Sequence, residues 1–286
     1  MESYLSDVEI APGVWTRGNP DAFQGTAIVA FIDLLGFSAS IRRHWNDANN
    51  PPLEKLLRIK NTAASSRKTT IIISDTATAP PLPKEAYRSR IHTISDSIVV
   101  CSALPPDLPG NVFLRSLWTV FASVQFIWES AATEGYAIRG AIELGDIYWT
   151  PAETIGPAFL GAYYLESKVS QCSRVIIGPE LLKAAVQWTD GQLNQLGRAL
   201  AVCPDKLIEL APSRLLLGDD TRAKNLLRFE NMQNACETEK AKQKYQYLLS
   251  LLRDASKVKW VSHNDLQSGI EQLLAHCDQG IPSAVT

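Results

Sequence analysis

The first ordered pattern along the chain is the apolar, β-branched run TAIVAF at residues 26–31, which predicts a strand ending near Asp33, where Gly36 turns the chain. Residues 37–45 then change to helical spacing, with Phe37, Ile41 and Trp45 on one side. Asn49, Asn50, Pro51 and Pro52 break that helix, and residues 53–59 resume it. TTIIIS, residues 69–74, predicts another strand, and the Pro-rich residues 77–83 read as an insertion. Residues 91–94 and 98–100 predict the arms of a β hairpin around Ser95 and Asp96, ended by Pro105, Pro106, Pro109 and Gly110. Phe113, Leu117, Phe121, Val124 and Trp128 recur at steps of four and three, a broad apolar stripe on one helix that Gly135 closes.

Residues 136–149 predict a long strand at the centre of a sheet. After Pro151, residues 156–170 read as a helix, 174–177 as a strand and 180–188 as a helix. Residues 206–210 read as a late strand, 221–254 as charged helix and 266–276 as a short amphipathic helix. Strands alternating with helices and one hairpin predict an α/β (α+β) sandwich, with helices over one face of a mixed sheet. The expected organisation is an irregular lead-in over residues 1–24, packed down by Trp15, a main domain over 25–215, and a helical C-terminal appendage over 216–286. That appendage suits packing or dimerisation, or simply covers the sheet.

An apolar content of 45% fits a soluble globular protein with a real core. A net charge of −2 argues against electrostatic binding of nucleic acid, which needs a basic face, but leaves room for a local basic pocket. The five cysteines, at 101, 172, 203, 236 and 277, are widely spaced without a CxxC pair, so reduced thiols in a cytoplasmic protein are expected. Residues 1–24 lack the basic start and apolar centre of a secretory signal. Residues 112–132 are interrupted by Arg115, Ser116, Gln125 and Glu129, so they predict a buried soluble helix and no membrane span.

The candidate chemistry lies in FIDLLGF, residues 31–37, and ISDSIVV, residues 94–100. Each puts an aspartate, Asp33 or Asp96, beside a β run, so both carboxylates can project from neighbouring strand ends toward one point. Hard oxygen ligands there suit Mg²⁺ or Mn²⁺. The alternative is that each Asp only caps a turn or helix. The amides of residues 35–38, at the start of a helix, are placed to receive phosphate oxygens.

Four segments in order resemble the class III nucleotidyl cyclases, the fold of adenylyl and guanylyl cyclases. FIDLLGF is similar to their first metal-binding segment and HTISDS, residues 92–97, to the hairpin with their second metal Asp. IRGAIELGD, residues 138–146, resembles their central strand, and IGPAFLGAYYLES, residues 155–167, the helix that normally carries a transition-state Asn and Arg. The resemblance spans residues 26 to about 180 and implies a ferredoxin-like β-α-β-β-α-β core.

It further implies two metal ions per site, Mg²⁺ or Mn²⁺, on Asp33 and Asp96 with the backbone carbonyl of Ile32 or Leu34. Leu35, Gly36, Phe37 and Ser38 would cradle phosphates. Arg139 falls at a phosphate-contacting Arg, where a planar charged fork is well suited; a surface Arg at a strand start is the alternative. Lys206 falls near the usual cation of the last strand. His92 and Glu153 occupy the two base-reading positions, yet match neither the Lys and Asp of adenylyl nor the Glu and Cys of guanylyl cyclases. Leu160 and Tyr164 replace the Asn and Arg, with Phe159 and Tyr163 adding bulk. These departures favour a site rebuilt for a pyrimidine, as in the stand-alone cyclases of bacterial Pycsar antiphage systems. The implied activity makes cyclic UMP from UTP, in preference to cyclic CMP from CTP, to activate a separately encoded effector. The implied assembly is a homodimer with sites at the interface. The alternatives are an adenylate or guanylate cyclase, or a catalytically silent nucleotide-binding protein.

Overall fold

The computed structural model describes residues 22–49, 51–75, 89–104, 110–188 and 199–278. The expected lead-in up to residue 21, the Pro-rich insertion at 77–83 and Pro105, Pro106 and Pro109 lie outside the described residues. The chain begins with β1 (Phe23–Leu35), α1 (Phe37–His44), α2 (Pro52–Asp75), β2 (Ser89–Ile94), β3 (Ser97–Ala103), α3 (Gly110–Thr133) and β4 (Ala137–Trp149). It continues through β5 (Thr154–Ile155), α4 (Pro157–Tyr164), a π-helical turn (Leu165–Ser170), β6 (Val175–Ile177), α5 (Pro179–Trp188), β7 (Leu200–Val202) and β8 (Ile208–Leu210). The last elements are α6 (Ser213–Leu216), α7 (Asp219–Asn234), α8 (Glu239–Arg253), β9 (Lys259–Trp260) and α9 (His263–Asp278).

One mixed sheet runs β2-β3-β1-β4-β6-β8-β7-β9, with β5 paired to β4. Its first four strands are antiparallel neighbours in the ferredoxin-like order of a β-α-β-β-α-β unit. β1 is central because it is apolar on both faces, as its uninterrupted run requires. Ile28, Ala30, Ile32 and Leu34 enter the main core, whereas Ala27, Val29 and Phe31 enter a smaller one on the opposite face. The predicted stripe of α3, Phe113 through Trp128, is buried in the main core. Three of its polar interruptions are satisfied: Ser116 donates to the Ala103 carbonyl, Gln125 to that of Ala211, and Glu129 pairs with Arg214. No helix among the described residues is long and apolar enough to cross a membrane.

Two expectations differ from the structure. TTIIIS is the end of α2, because a helix already 17 residues long by Lys68 extends at one hydrogen bond per residue and overrides a weak β preference. Helices also cover both faces: α4 lies over the smaller core, where Ala158 and Ala162 bring it close to the sheet. A Cβ on Gly145 would sit 3.5 Å from that of Ala158.

Beyond residue 215 the chain joins the same core. Phe229, Tyr245, Leu248, Leu249, Leu252, Leu266 and Leu273 are buried with the strands. Thr238 caps α8 by accepting from the Ala241 amide. On β4, a Cβ at Gly140 would lie 2.6 Å from the Phe31 carbonyl oxygen and from Ile32 Cδ1. Gly140→Ala is therefore expected to lower stability by about 1–3 kcal/mol. Urea denaturation measures this, and an unchanged midpoint would show that the β1–β4 pair has slack.

Candidate functional site

Register assembles the site. Asp33, near the C-terminal end of β1, pairs with Ser97 of β3 on one side and with Arg139 of β4 on the other. Asp96 precedes Ser97 in the β2–β3 turn, so the carboxylates of Asp33 and Asp96 are neighbours. Burial raises the pKa of Asp33 first, the charge of Asp96 adds to the rise, and Arg139 opposes it. Ser95 sits at φ 53° in that turn, and Lys60 of α2 donates to its carbonyl at 2.6 Å, which fixes the hairpin end.

Arg139 bridges two acids. Its Nη2 lies 3.5 Å from Asp33 Oδ2 and 2.5 Å from Glu166 Oε1. Glu166 is buried on the π-helical turn after α4, a distortion common at functional sites. Burial raises its carboxyl pKa against the pull of Arg139. Arg139 Nε is buried without a hydrogen-bond partner among the described residues, and Arg139 does not line the cavity that holds Asp33; it reaches that cavity through its contact with Asp33.

The loop after β1 continues the site. Gly36 has φ +86°, a left-handed conformation that disfavours a side chain, and it caps α1. The first amides of α1, at Phe37 and Ser38, therefore face forward without intrahelical partners. Leu35 and Phe37 bury their side chains in the core and leave only backbone to a ligand, as does Ile32. A cavity of about 700 Å³ joins Asp33, Asp96 and residues 35–38 to Lys244 and Tyr245 of α8.

The aspartate pair offers hard oxygen donors of the kind that divalent ions take. Mg²⁺ is commonly held by one or two carboxylates, water and substrate phosphates. A third protein ligand is not required, and among the described residues no group of three or more His, Cys, Asp or Glu clusters as a metal site.

Other expected residues lie elsewhere. Lys206 is exposed in the β7–β8 turn at φ 66° and does not line the cavity of Asp33, whose lining includes Lys55 and Lys244. A tight turn displaced the expected strand start to Ile208. Tyr164 packs against the main core, outside that cavity, while Leu160 is exposed. Phe159 and Tyr163 instead contact Phe31 edge-on, at centroid distances of 5.8 and 5.3 Å.

His92 and Glu153 lie outside the Asp33 cavity too. Glu153 is exposed in a turn where its amide and that of Ala152 donate to Thr150 Oγ1. The backbone of Thr150 meets the His92 ring, whose pKa is lowered by burial first and by Arg90. The neutral ring leaves its Nε2 enclosed without a partner.

Sequence reasoning missed Lys60, Glu166 and Lys244. Glu166 follows Tyr164 by two residues inside the segment 155–167, but only the π turn aims it at Arg139. Lys244 had no local signal.

No family model matches the chain, and no curated protein matches it in sequence. Among solved structures it is similar to the guanylyl cyclase Cya2, at 14% identity and a TM-score of 0.36, over 58% of this chain and 80% of that one. It is also similar to a class III adenylyl cyclase-like ATP-binding protein from Pseudomonas aeruginosa, at 15% identity and a TM-score of 0.38, over 66% of this chain and 41% of that one. Neither likeness speaks to the activity of this chain.

Proposed function

We propose that this chain is a class III nucleotidyl cyclase that converts a pyrimidine nucleoside triphosphate, UTP in preference to CTP, to its 3′,5′-cyclic monophosphate and pyrophosphate. The observation that carries this reading is the convergence of Asp33, Asp96 and Arg139 from adjacent antiparallel strands beside the glycine loop. Cyclisation forms a bond from the ribose 3′ oxygen to the α phosphorus and breaks the bond from that phosphorus to the bridging oxygen. The 3′ proton goes to solvent, and pyrophosphate carries away the bonding pair.

Asp33 and Asp96 would hold Mg²⁺ or Mn²⁺, which would supply Lewis acidity for the attacking and leaving oxygens. Arg139 is assigned to the phosphates, with Glu166 holding its guanidinium beside Asp33. Backbone amides at Phe37 and Ser38 take phosphate oxygens without a change of charge.

His92 and Glu153 read the base from the partner copy of a head-to-tail homodimer. Three exposed apolar side chains around α4 and β5 support a covered face: Ile155 (60% exposed), Leu160 (59%) and Tyr163 (50%). Uracil presents an N3 hydrogen flanked by carbonyl oxygens, which suits an acceptor such as Glu153 beside a donor such as His92, whereas cytosine presents an unprotonated N3 and an amino group, which favours UTP. As in the Pycsar systems that the motifs resemble, the cyclic nucleotide serves cytoplasmic antiphage defence by activating a separate effector.

The test is turnover of each of the four ribonucleoside triphosphates with Mn²⁺, with products identified by mass. Cyclic UMP as the main product is expected. Faster cyclisation of ATP or GTP would overturn the pyrimidine assignment, and no cyclic product from any of the four would overturn the cyclase reading.

A further inference from the structure

The C-terminal helical hairpin, α7 and α8, forms a wall of the cavity that holds Asp33 and Asp96. Its position is pinned by contacts next to one residue. Tyr245 donates its hydroxyl to the Leu35 carbonyl at 3.3 Å, and the Ser173 amide donates to the Lys244 carbonyl at 2.8 Å. Gln233 of α7 donates to the Lys242 carbonyl at 3.1 Å, which ties the two helices together. A Cβ on Gly36 would meet the Tyr245 hydroxyl at 3.0 Å, so the glycine loop and α8 are closely apposed.

Lys244 faces Arg139, Asp33 and Glu166 across this apposition, with Lys240 behind it on α8. Arg139 already holds both acids, at 3.5 and 2.5 Å. Lys244 has no carboxylate within 4.0 Å among the described residues, although other lysines of the chain, Lys183, Lys242 and Lys259, do. A half-buried ammonium beside a guanidinium and without an ion-pair partner is unfavourable alone. A polyanion entering the cavity meets Lys244 on its wall and supplies the missing counter-charge, which no small neutral ligand does; Arg139 does not itself line the cavity but pairs with Asp33, which does.

We propose that Lys244 binds the polyphosphate chain of the nucleotide, so that α8 is part of the substrate site. This rests on the nucleotide-cyclase reading for the identity of the ligand, but the chemistry it names is a polyphosphate. A lysine suits this as a compact charge on a flexible stem that follows the phosphates.

The test is titration of the full chain with inorganic tripolyphosphate and Mg²⁺ by calorimetry, for wild type, K244A, K244R and K242A. K244A is expected to weaken binding about tenfold to a hundredfold, the range for one lost charge-assisted hydrogen bond. K244R should recover to within a few fold, and K242A, on the exposed side of α8, should match wild type. Circular dichroism checks that K244A is folded. Wild type that binds no tripolyphosphate, or K244A within twofold of wild type, overturns the proposal. If no triphosphate is cyclised by wild type but K244A still weakens tripolyphosphate binding, the cyclase reading fails and the role of Lys244 stands. If wild type cyclises normally and K244A binds tripolyphosphate as wild type does, the cyclase reading stands and the role of Lys244 fails.

Discussion

Replacement of Asp33 or Asp96 by asparagine is expected to reduce cyclase turnover by about a thousandfold or more, a loss of about 4 kcal/mol in transition-state stabilisation. Each substitution keeps the shape of the side chain and removes the negative charge that holds divalent ions. Stability should move in the other direction at Asp33. Its carboxylate is desolvated and lies beside Asp96, so the native fold works against its ionised form. Arg139 remains paired with Glu166 when Asp33 is neutral. D33N should therefore unfold at the same urea concentration as wild type or higher, as expected where a site trades stability for activity. Turnover with Mn²⁺, Mn²⁺ binding by electron spin resonance, and urea denaturation measure the three effects. Either variant turning over within tenfold of wild type, with excess EDTA harmless, would sink the role of these carboxylates.

Much of this site was legible because local pattern set it. The apolar run at residues 26–31 sets a strand that carries Asp33 near its end, before the turn at Gly36, and residues 136–149 set the strand at the centre of the sheet. The hairpin around Ser95 and Asp96 followed from two β runs with a polar turn between them. Once β1 pairs with both β3 and β4, placement of Asp33 between Ser97 and Arg139 needs no further instruction.

The parts that were not legible depend on contacts distant in sequence or on backbone departures from ideal geometry. Tyr245 reaches Leu35 across 210 positions, so nothing near Lys244 announces that it faces Asp33. Lys206 sits in the right region of the chain for a phosphate cation, but its turn points it into solvent. Glu166 would face differently in a regular α-helix continuing from α4. The extra residue per turn of the π segment rotates it onto Arg139. The side of the sheet that α4 covers was hidden for another reason: small residues at Ala158, Gly161 and Ala162 form no large apolar stripe to mark a buried face, whereas their effect is to allow close approach.

The second large effect lies beneath α8. Glu209 of β8 is fully buried, its pKa is pushed up to about 7 by burial, and the hydroxyl of Tyr247 donates to it at 2.6 Å against that shift. Its Oε2 has no partner among the described residues. Between its ordinary value of 4.5 and about 7, the folded chain keeps a proton that the unfolded chain has released. The folded state binds more protons in that window, so stability is full below pH 4.5 and falls as pH rises through about 7. The fall due to this group is on the order of 3 kcal/mol. Glu143, also buried and pushed up to about 7, acts with the same sign. Glu209→Gln stays neutral at every pH and retains an oxygen to accept from Tyr247. It is expected to match wild type near pH 5 and to exceed it by about 3 kcal/mol at pH 8. Urea denaturation at pH 5, 6, 7 and 8 reads the difference, and parallel profiles for the two proteins would show that Glu209 ionises without cost. Tyr247 follows Lys244 by three residues on α8, so this buried contact bears on how firmly that helix holds its lysine at the site.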